Sequence, residues 1–170
     1  MNRPAADEGA AAAPVIDSRT AWRSALQWGF DAAIARGARS ITCVDADFAE
    51  WPLDAPELLE RLTAWLRLPQ RRLQLLAAGY DAMQRLHPRF VIWRTPWVHA
   101  IPGWQAPADM AADLPSLLLA DNAVAVQLID ARHWRGRAAI DVRAARLWQE
   151  RLDAVFERAE PAFAAKTLGL

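Results

Sequence analysis

The sequence predicts an α/β domain in which a mixed, mostly parallel sheet carries helices on both faces. Three observations predict it. In the first half of the chain, helical periodicity alternates with short β-branched or apolar runs, the pattern of right-handed crossovers between parallel strands. Later, two apolar runs are separated by little more than an Asp-Asn pair, the spacing of a hairpin, which adds antiparallel strands. Finally, 54% of the 170 residues are hydrophobic, enough to bury a substantial core and too many for a disordered chain.

Residues 1–15 read as a flexible, Ala-rich N-terminal tail without the apolar core and cleavage site of a signal peptide, and residues 16–170 as a single domain. The first helix is expected over residues 18–36, with Trp22, Leu26, Phe30, Ala33 and Ile34 on one face, Ser18 as its cap and Gly37 as its stop. Residues 40–44 read as a buried strand that ends at Asp45 and Asp47. Asp54-Ala-Pro-Glu57 resembles a capping box, and the helix behind it buries Leu58, Leu59, Leu62, Trp65 and Leu66 before Pro69 stops it. A strand follows at residues 72–76, then a short helix over residues 78–86 that His87-Pro88 ends. Residues 90–93 read as a third strand and residues 95–115 as a long loop pinned by Trp97, Trp104 and four prolines. Residues 116–120 and 123–129 form the hairpin about Asp121-Asn122, whose side chains tolerate left-handed backbone. Residues 132–137 read as a basic loop, and Asp141 caps a last helix that buries Ala145, Trp148, Leu152, Val155 and Phe156.

Composition narrows function more than it identifies it. Twenty basic residues balance twenty acidic ones, so no global pull on nucleic acid or anionic membrane is expected, and nucleic acid is not an expected partner. No run approaches the ~20 apolar residues of a membrane span, so the expected location is the cytoplasm. Cys43 is the single cysteine, which excludes an internal disulfide, and it reads as a buried hydrophobe inside its strand. One Cys and three scattered His residues give no ligand pair at metal spacing, so neither a metal nor a cofactor is expected. The heavy use of Ala, Arg, Leu and Trp points to a GC-rich bacterial source.

The order of elements resembles the phospholipase-D-like fold. Leu118-Leu119-Ala120-Asp121 and Phe156-Glu157-Arg158-Ala159-Glu160-Pro161 resemble the final strand and helix of an uncharacterised bacterial family of that superfamily. Active members carry His-x-Lys-x-x-x-x-Asp, in which the His attacks phosphorus and the Lys stabilises phosphate charge. With Asp121 on the motif's Asp, the other two positions fall on Leu114 and Ser116. Leucine cannot attack phosphorus, and serine supplies no fixed positive charge. The resemblance therefore implies a non-catalytic phospholipase-D-like domain for binding or scaffolding, with a homodimer or another protein as partner. A divergent phosphodiesterase and a weak nucleic-acid or phosphate-binding module are the alternatives.

The candidate anion-binding residues are Arg89, Arg94, His99, Arg132, His133, Arg135 and Arg137. If the long loop folds over one end of the sheet, these groups are expected to converge on one groove with His99 at its edge, where the planar Arg fork suits phosphate. Trp97 and Trp104 are the two tryptophans that the helical pattern does not place.

Overall fold

A computed structural model describes residues 12–164. In chain order the elements are β1 (Val15–Ile16), α1 (Arg19–Ala35), β2 (Ser40–Asp45), α2 (Pro56–Leu66), β3 (Arg72–Ala77), α3 (Asp81–Leu86), α4 (Pro88–Arg94), a 3-10 turn (Thr95–Trp97), β4 (Gly103–Gln105), α5 (Ala108–Ala111), β5 (Ser116–Ala120), β6 (Val124–Asp130), β7 (Arg135–Ile140), α6 (Val142–Phe156) and β8 (Glu160–Ala162). The strands build one sheet of eight in the order β1-β7-β6-β5-β2-β3-β4-β8. The sheet is mixed, as expected, but it is not mostly parallel. Only β2–β3 and β3–β4 run parallel, and the other five neighbouring pairs are antiparallel. The cause is a meander, β5-β6-β7, where one hairpin was expected, together with short strands that close both edges.

Alternation along the strands divides the core between two faces. Ile41, Cys43, Leu73, Leu75, Leu118 and Val126 pack with the buried residues of α1 and α2, whereas Val44, Leu76, Leu117 and Leu119 pack with Leu152 of α6. Helix α1 starts where the Ser18 hydroxyl accepts from Ala21 N at 3.0 Å. It stops at Gly37, whose φ of +79° costs glycine little. Gly29 lets α1 sit close on the sheet, because a Cβ there would stand 2.7 Å from Val126 Cγ2. Asp141 caps α6 by accepting from Arg143 N at 3.0 Å and Ala144 N at 3.1 Å. Leu152 is the one buried residue of α6, so that helix covers its face only in part.

Several local expectations are corrected. Residues 90–93 are helical, not extended: Pro88 opens α4, Phe90 is buried and Ile92 is 73% exposed, the asymmetry of a helix face. A four-residue apolar run carries no periodicity that separates the two states. The long loop contains β4, which pairs with β3 and β8, and the short α5. Half of the basic loop, from Arg135, is the start of β7, which pairs with β6 across a register shift between Leu128 and Asp130. In the β5–β6 turn, the residue with positive φ (73°) is Ala123, not Asp121 or Asn122. Asp54 does not cap α2; its carboxylate accepts from Arg89 N at 2.7 Å and Phe90 N at 3.2 Å, at the first turn of α4. Val15 lies in a strand and pairs with Arg137, while residues 1–11 of the expected tail lie outside the described residues.

Candidate nucleic-acid interface

In a parallel array, every connection from helix to strand lies at the amino end of the strands, and that rule places this protein's arginines. The α1–β2 connection carries Arg36 and Arg39; the α2–β3 connection carries Arg67 and Arg71 and runs into Arg72. The three connecting segments touch through the backbone. Arg72 N donates to Arg39 O at 2.9 Å, and Leu73 N donates to Ala100 O at 2.9 Å, which brings His99 beside the start of β3. Helix α6 begins at the same end, since Asp141 N donates to Ala123 O at 3.1 Å, and it adds Arg143 and Arg146. Six of these seven arginines are exposed and Arg71 is half-buried. Among the described residues none of the seven is in an ion pair.

Few acids oppose them. The Asp121 carboxylate accepts from Arg39 N at 3.1 and 3.3 Å. Asp141 caps α6 and lies 3.6 Å from Arg137. The carboxyl termini of α1 and α2 also point to this end, and their partial negative charge favours cations there. The rim frames two cavities. One, about 460 Å³, is lined by Leu66, Leu68, Gln70, Arg71, Arg72, His99 and Ala100. The other, also about 460 Å³, lies between the β5–β6 turn and α6, with Asp121, Asn122, Arg146 and Gln149 in its wall.

The opposite end of the sheet is different. Asp45, Asp47, Asp109, Asp113 and Asp130 gather there. Asp45 accepts from Asp47 N, Phe48 N and, at 2.5 Å, the Ser116 hydroxyl. Its basic groups are interleaved with acids. His133 Nδ1 lies 2.8 Å from Asp130 Oδ2, and that hydrogen bond holds the Asp130 carboxyl below its ordinary range. Arg158 grips Asp109 with two 3.0 Å bonds and lowers its pKa in the same way. A cavity of about 530 Å³ also opens here, beside α1. Its two arginines, Arg19 and Arg23, both bind Glu50, at 2.5 and 3.1 Å. Trp51 Nε1 and His87 Nδ1 are buried at that cavity without a partner among the described residues, while His87 Nε2 lies 2.8 Å from Phe48 O.

The expected anion site is not one place. Arg89 is exposed on α4. Arg94 is 4% exposed; Nε donates to Ile101 O at 2.9 Å, Nη1 donates to Phe163 O, and the guanidinium lies 4.3 Å from the Phe163 ring centroid. Burial lowers its pKa. It is a strut between α4 and Phe163, just beyond β8, with no access to a ligand. His99 is exposed and tilted against Trp97 at the amino end. Arg132, His133 and Arg135 stand at the other end, and Arg137 lies inside β7. From β3 to β7 is four strand spacings, roughly 19 Å. Sequence reasoning missed Arg36, Arg39, Arg67, Arg71, Arg72, Arg143 and Arg146. The signal was available: arginines recur in two of the three helix-to-strand connections of the parallel segment, and His99 lies in the third.

The class that this architecture defines is an α/β protein with a mixed eight-stranded sheet, covered on one face by α1 and α2 and on the other by α6. No family model matches the chain, and no curated protein matches it. Among solved structures the chain is similar to that of TrmBL2, an archaeal chromatin protein that shows a novel mode of DNA binding, with a TM-score of 0.56 and 13% sequence identity over 83% of this chain. The match spans 51% of the TrmBL2 chain, so this chain corresponds to about half of it. At that identity the likeness shows the fold.

These findings correct the family expectation. The phospholipase-D-like resemblance rested on short strand and helix-end motifs. Leu118, Leu119 and Ala120 are buried core residues, so packing alone selects them. The presumed motif positions do not meet: Ser116 stands at the carboxyl end of the sheet, with Leu114 just before it, and Asp121 at the amino end, five residues or roughly 17 Å from Ser116 along the strand direction. With the resemblance goes the non-catalytic phospholipase-D-like role inferred from it, and the bacterial source has no support beside an archaeal fold neighbour. The expectation against nucleic acid also falls, since the fold is shared with a DNA-binding chromatin protein and the neutral total conceals a segregated distribution. No helix among the described residues is long and apolar enough to cross a membrane.

Proposed function

We propose that this chain is a nucleic-acid-binding module that holds the sugar-phosphate backbone on the arginine rim at the amino end of its sheet. One observation carries the reading: Arg36, Arg39, Arg67, Arg71, Arg72, Arg143 and Arg146 share one end of the fold with no ion-pair partner among the described residues. All but one of the twenty basic residues are arginine, and its planar fork grips two phosphate oxygens where lysine offers a point charge. The fold likeness to TrmBL2 supports the same direction. His99, an anion candidate from the sequence, adjoins the rim and belongs to the reading; the cytoplasmic location expected from the sequence is kept with it.

The rim contacts backbone, so affinity is salt-dependent and largely independent of sequence. The test is a titration of a short labelled duplex at low salt. The double charge reversal Arg39→Glu with Arg72→Glu abolishes binding, and the same reversal at Arg132 and Arg135 leaves it nearly unchanged. Equal losses from the two pairs, or no binding by the unaltered protein, overturns the proposal.

A further inference from the structure

A fourth cavity, about 340 Å³, lies beside α6 on the sheet face that this helix covers only in part. There β2 contributes Ser40 and Thr42 and β3 contributes Gln74. Trp104 of β4 and Phe156 of α6 form an aromatic wall, edge to face at 6.4 Å. Gln149 Nε2 donates to Asp153 Oδ1 at 2.8 Å, which fixes the polar side of α6 over the opening. Among the described residues the side chains of Ser40, Thr42, Gln74 and Trp104 have no hydrogen-bond partner, and Trp104 Nε1 is sealed from solvent without one. Thr42 is 7% exposed. The hydroxyls and the amide are open to the cavity, and only the sealed Trp104 indole N–H is a buried donor left unpaired at a cost.

The chemistry of this lining selects a ligand class. An amide presents donor and acceptor side by side, the pattern that pairs with a base edge. The hydroxyls serve as either, and the aromatic wall suits a flat ring. The volume falls in the range of small-ligand pockets, about 300–1,000 Å³. A cation stands near the cavity, outside its lining. Arg72 shares the sheet face of Gln74, two residues before it, and pairs in register with Ser40. It belongs to the rim. A phosphate held by Arg72 therefore lies next to a slot built for a planar, hydrogen-bonding group.

We infer that this cavity receives the base of an unpaired nucleotide whose phosphate sits on Arg72; this rests on the nucleic-acid reading of the rim. Gln74 and Thr42 contact the base edge, and Trp104 and Phe156 line its ring. The site thus adds a preference for unpaired nucleotides to a rim that grips backbone without regard to sequence.

The experiment compares three labelled DNAs at low salt: a blunt duplex, the duplex with a single-stranded overhang, and the same overhang with abasic residues. The expected order is overhang tighter than abasic overhang by roughly tenfold. Gln74→Leu and, separately, Thr42→Val, both close in size to the native residue, erase that difference and leave blunt-duplex affinity unchanged. Circular dichroism and urea midpoints verify that both variants fold. Equal affinity for base and abasic overhangs sinks the inference while blunt-duplex binding keeps the rim reading intact. If no DNA binds, the rim reading fails by itself. Calorimetric titration with nucleoside monophosphates then decides the cavity: binding lost in Gln74→Leu retains it as a free-nucleotide site, and no binding removes it.

Discussion

The salt dependence of duplex binding follows from the number of rim arginines that reach phosphates. Arg39, Arg71 and Arg72 border adjacent strands, and Arg146 faces the same end from α6, so four contacts is the working count. Each phosphate neutralised contributes about −0.9 to the slope of log K against log salt, which gives a slope of about −3.6. Between 50 and 200 mM salt, affinity should then fall roughly 150-fold. The triple substitution Arg39→Ala, Arg71→Ala and Arg72→Ala leaves one contact and a slope of about −0.9. These side chains carry little of the fold; for Arg71 the substitution removes the bond that Nη1 donates to Pro69 O at 2.8 Å. Replacing Arg132 and Arg135 by alanine should leave the slope alone, because both lie at the far end of the sheet. Fluorescence anisotropy of a labelled duplex across the salt series measures every one of these slopes. A wild-type slope shallower than about −1, or a triple variant that keeps the wild-type slope, refutes the count and the surface together.

Other outcomes test particular contacts. Arg94→Ala leaves two buried carbonyls, Ile101 O and Phe163 O, without their charged donor, and should cost about 3–5 kcal/mol in urea unfolding; a cost below about 1 kcal/mol would return Arg94 to the surface chemistry first expected of it. Asp54→Ala should cost about 1 kcal/mol and speed hydrogen exchange at the Arg89 amide, with no such change in the first turn of α2. Cys43 is fully buried and burial pushes its thiol pKa up, so thiol reagents should leave it unmodified in the native protein and react on unfolding. The hydrogen bond from Arg19, with the charges of Arg19 and Arg23, holds the Glu50 carboxyl below its ordinary range. The stability it adds is present above the unfolded pKa and lost as pH falls through the depressed one, so Glu50→Gln should flatten the acid limb of a stability-against-pH curve, modestly because the pair is half exposed.

Legibility in the sequence tracked how much each element buries. Strands β2, β3 and β5 are largely buried and read as apolar runs, β6 starts on the buried Val124 and Val126, and α1 and α6 show apolar periodicity behind the caps Ser18 and Asp141, as α2 does without a side-chain cap. Elements that bury little gave little to read. β4 is three residues held by its neighbours and by Tyr80, whose hydroxyl donates to Trp104 O at 2.7 Å and accepts from Trp104 N at 3.1 Å. β7 carries Arg135 and Arg137 on its exposed side and so reads as a charged loop, although Arg-x-Arg-x-Ala after a tight turn is an alternation. α4 hid behind four apolar residues too few to show a period. Trp104 had no helical place because its partners are a strand and Phe156 across the α6 interface.

The error about partners has a different origin from the errors about elements. Net charge is a sum, and a ligand about the width of a duplex feels only the charges within a Debye length or so of its phosphates, ~8 Å at physiological ionic strength. Twenty positive and twenty negative residues sum to zero however they are arranged. The arrangement here follows from topology: two successive helix-to-strand connections in a parallel segment must lie at one end, so Arg36, Arg39, Arg67, Arg71 and Arg72, spread over 37 residues of sequence, become neighbours. The aspartates at the strand ends, Asp45 closing β2 with Asp47 beyond it and Asp130 closing β6, go to the other end by the same geometry, because β6 runs antiparallel to β5 and β5 antiparallel to β2. Arginines without an ion pair among the described residues thus gather at one end, while at the other Arg19, Arg23 and Arg158 are bound to Glu50 and Asp109. On the nucleic-acid reading proposed above, a polyanion would meet the first end in preference to the second, an orientation that a uniformly basic surface of the same total affinity would not impose.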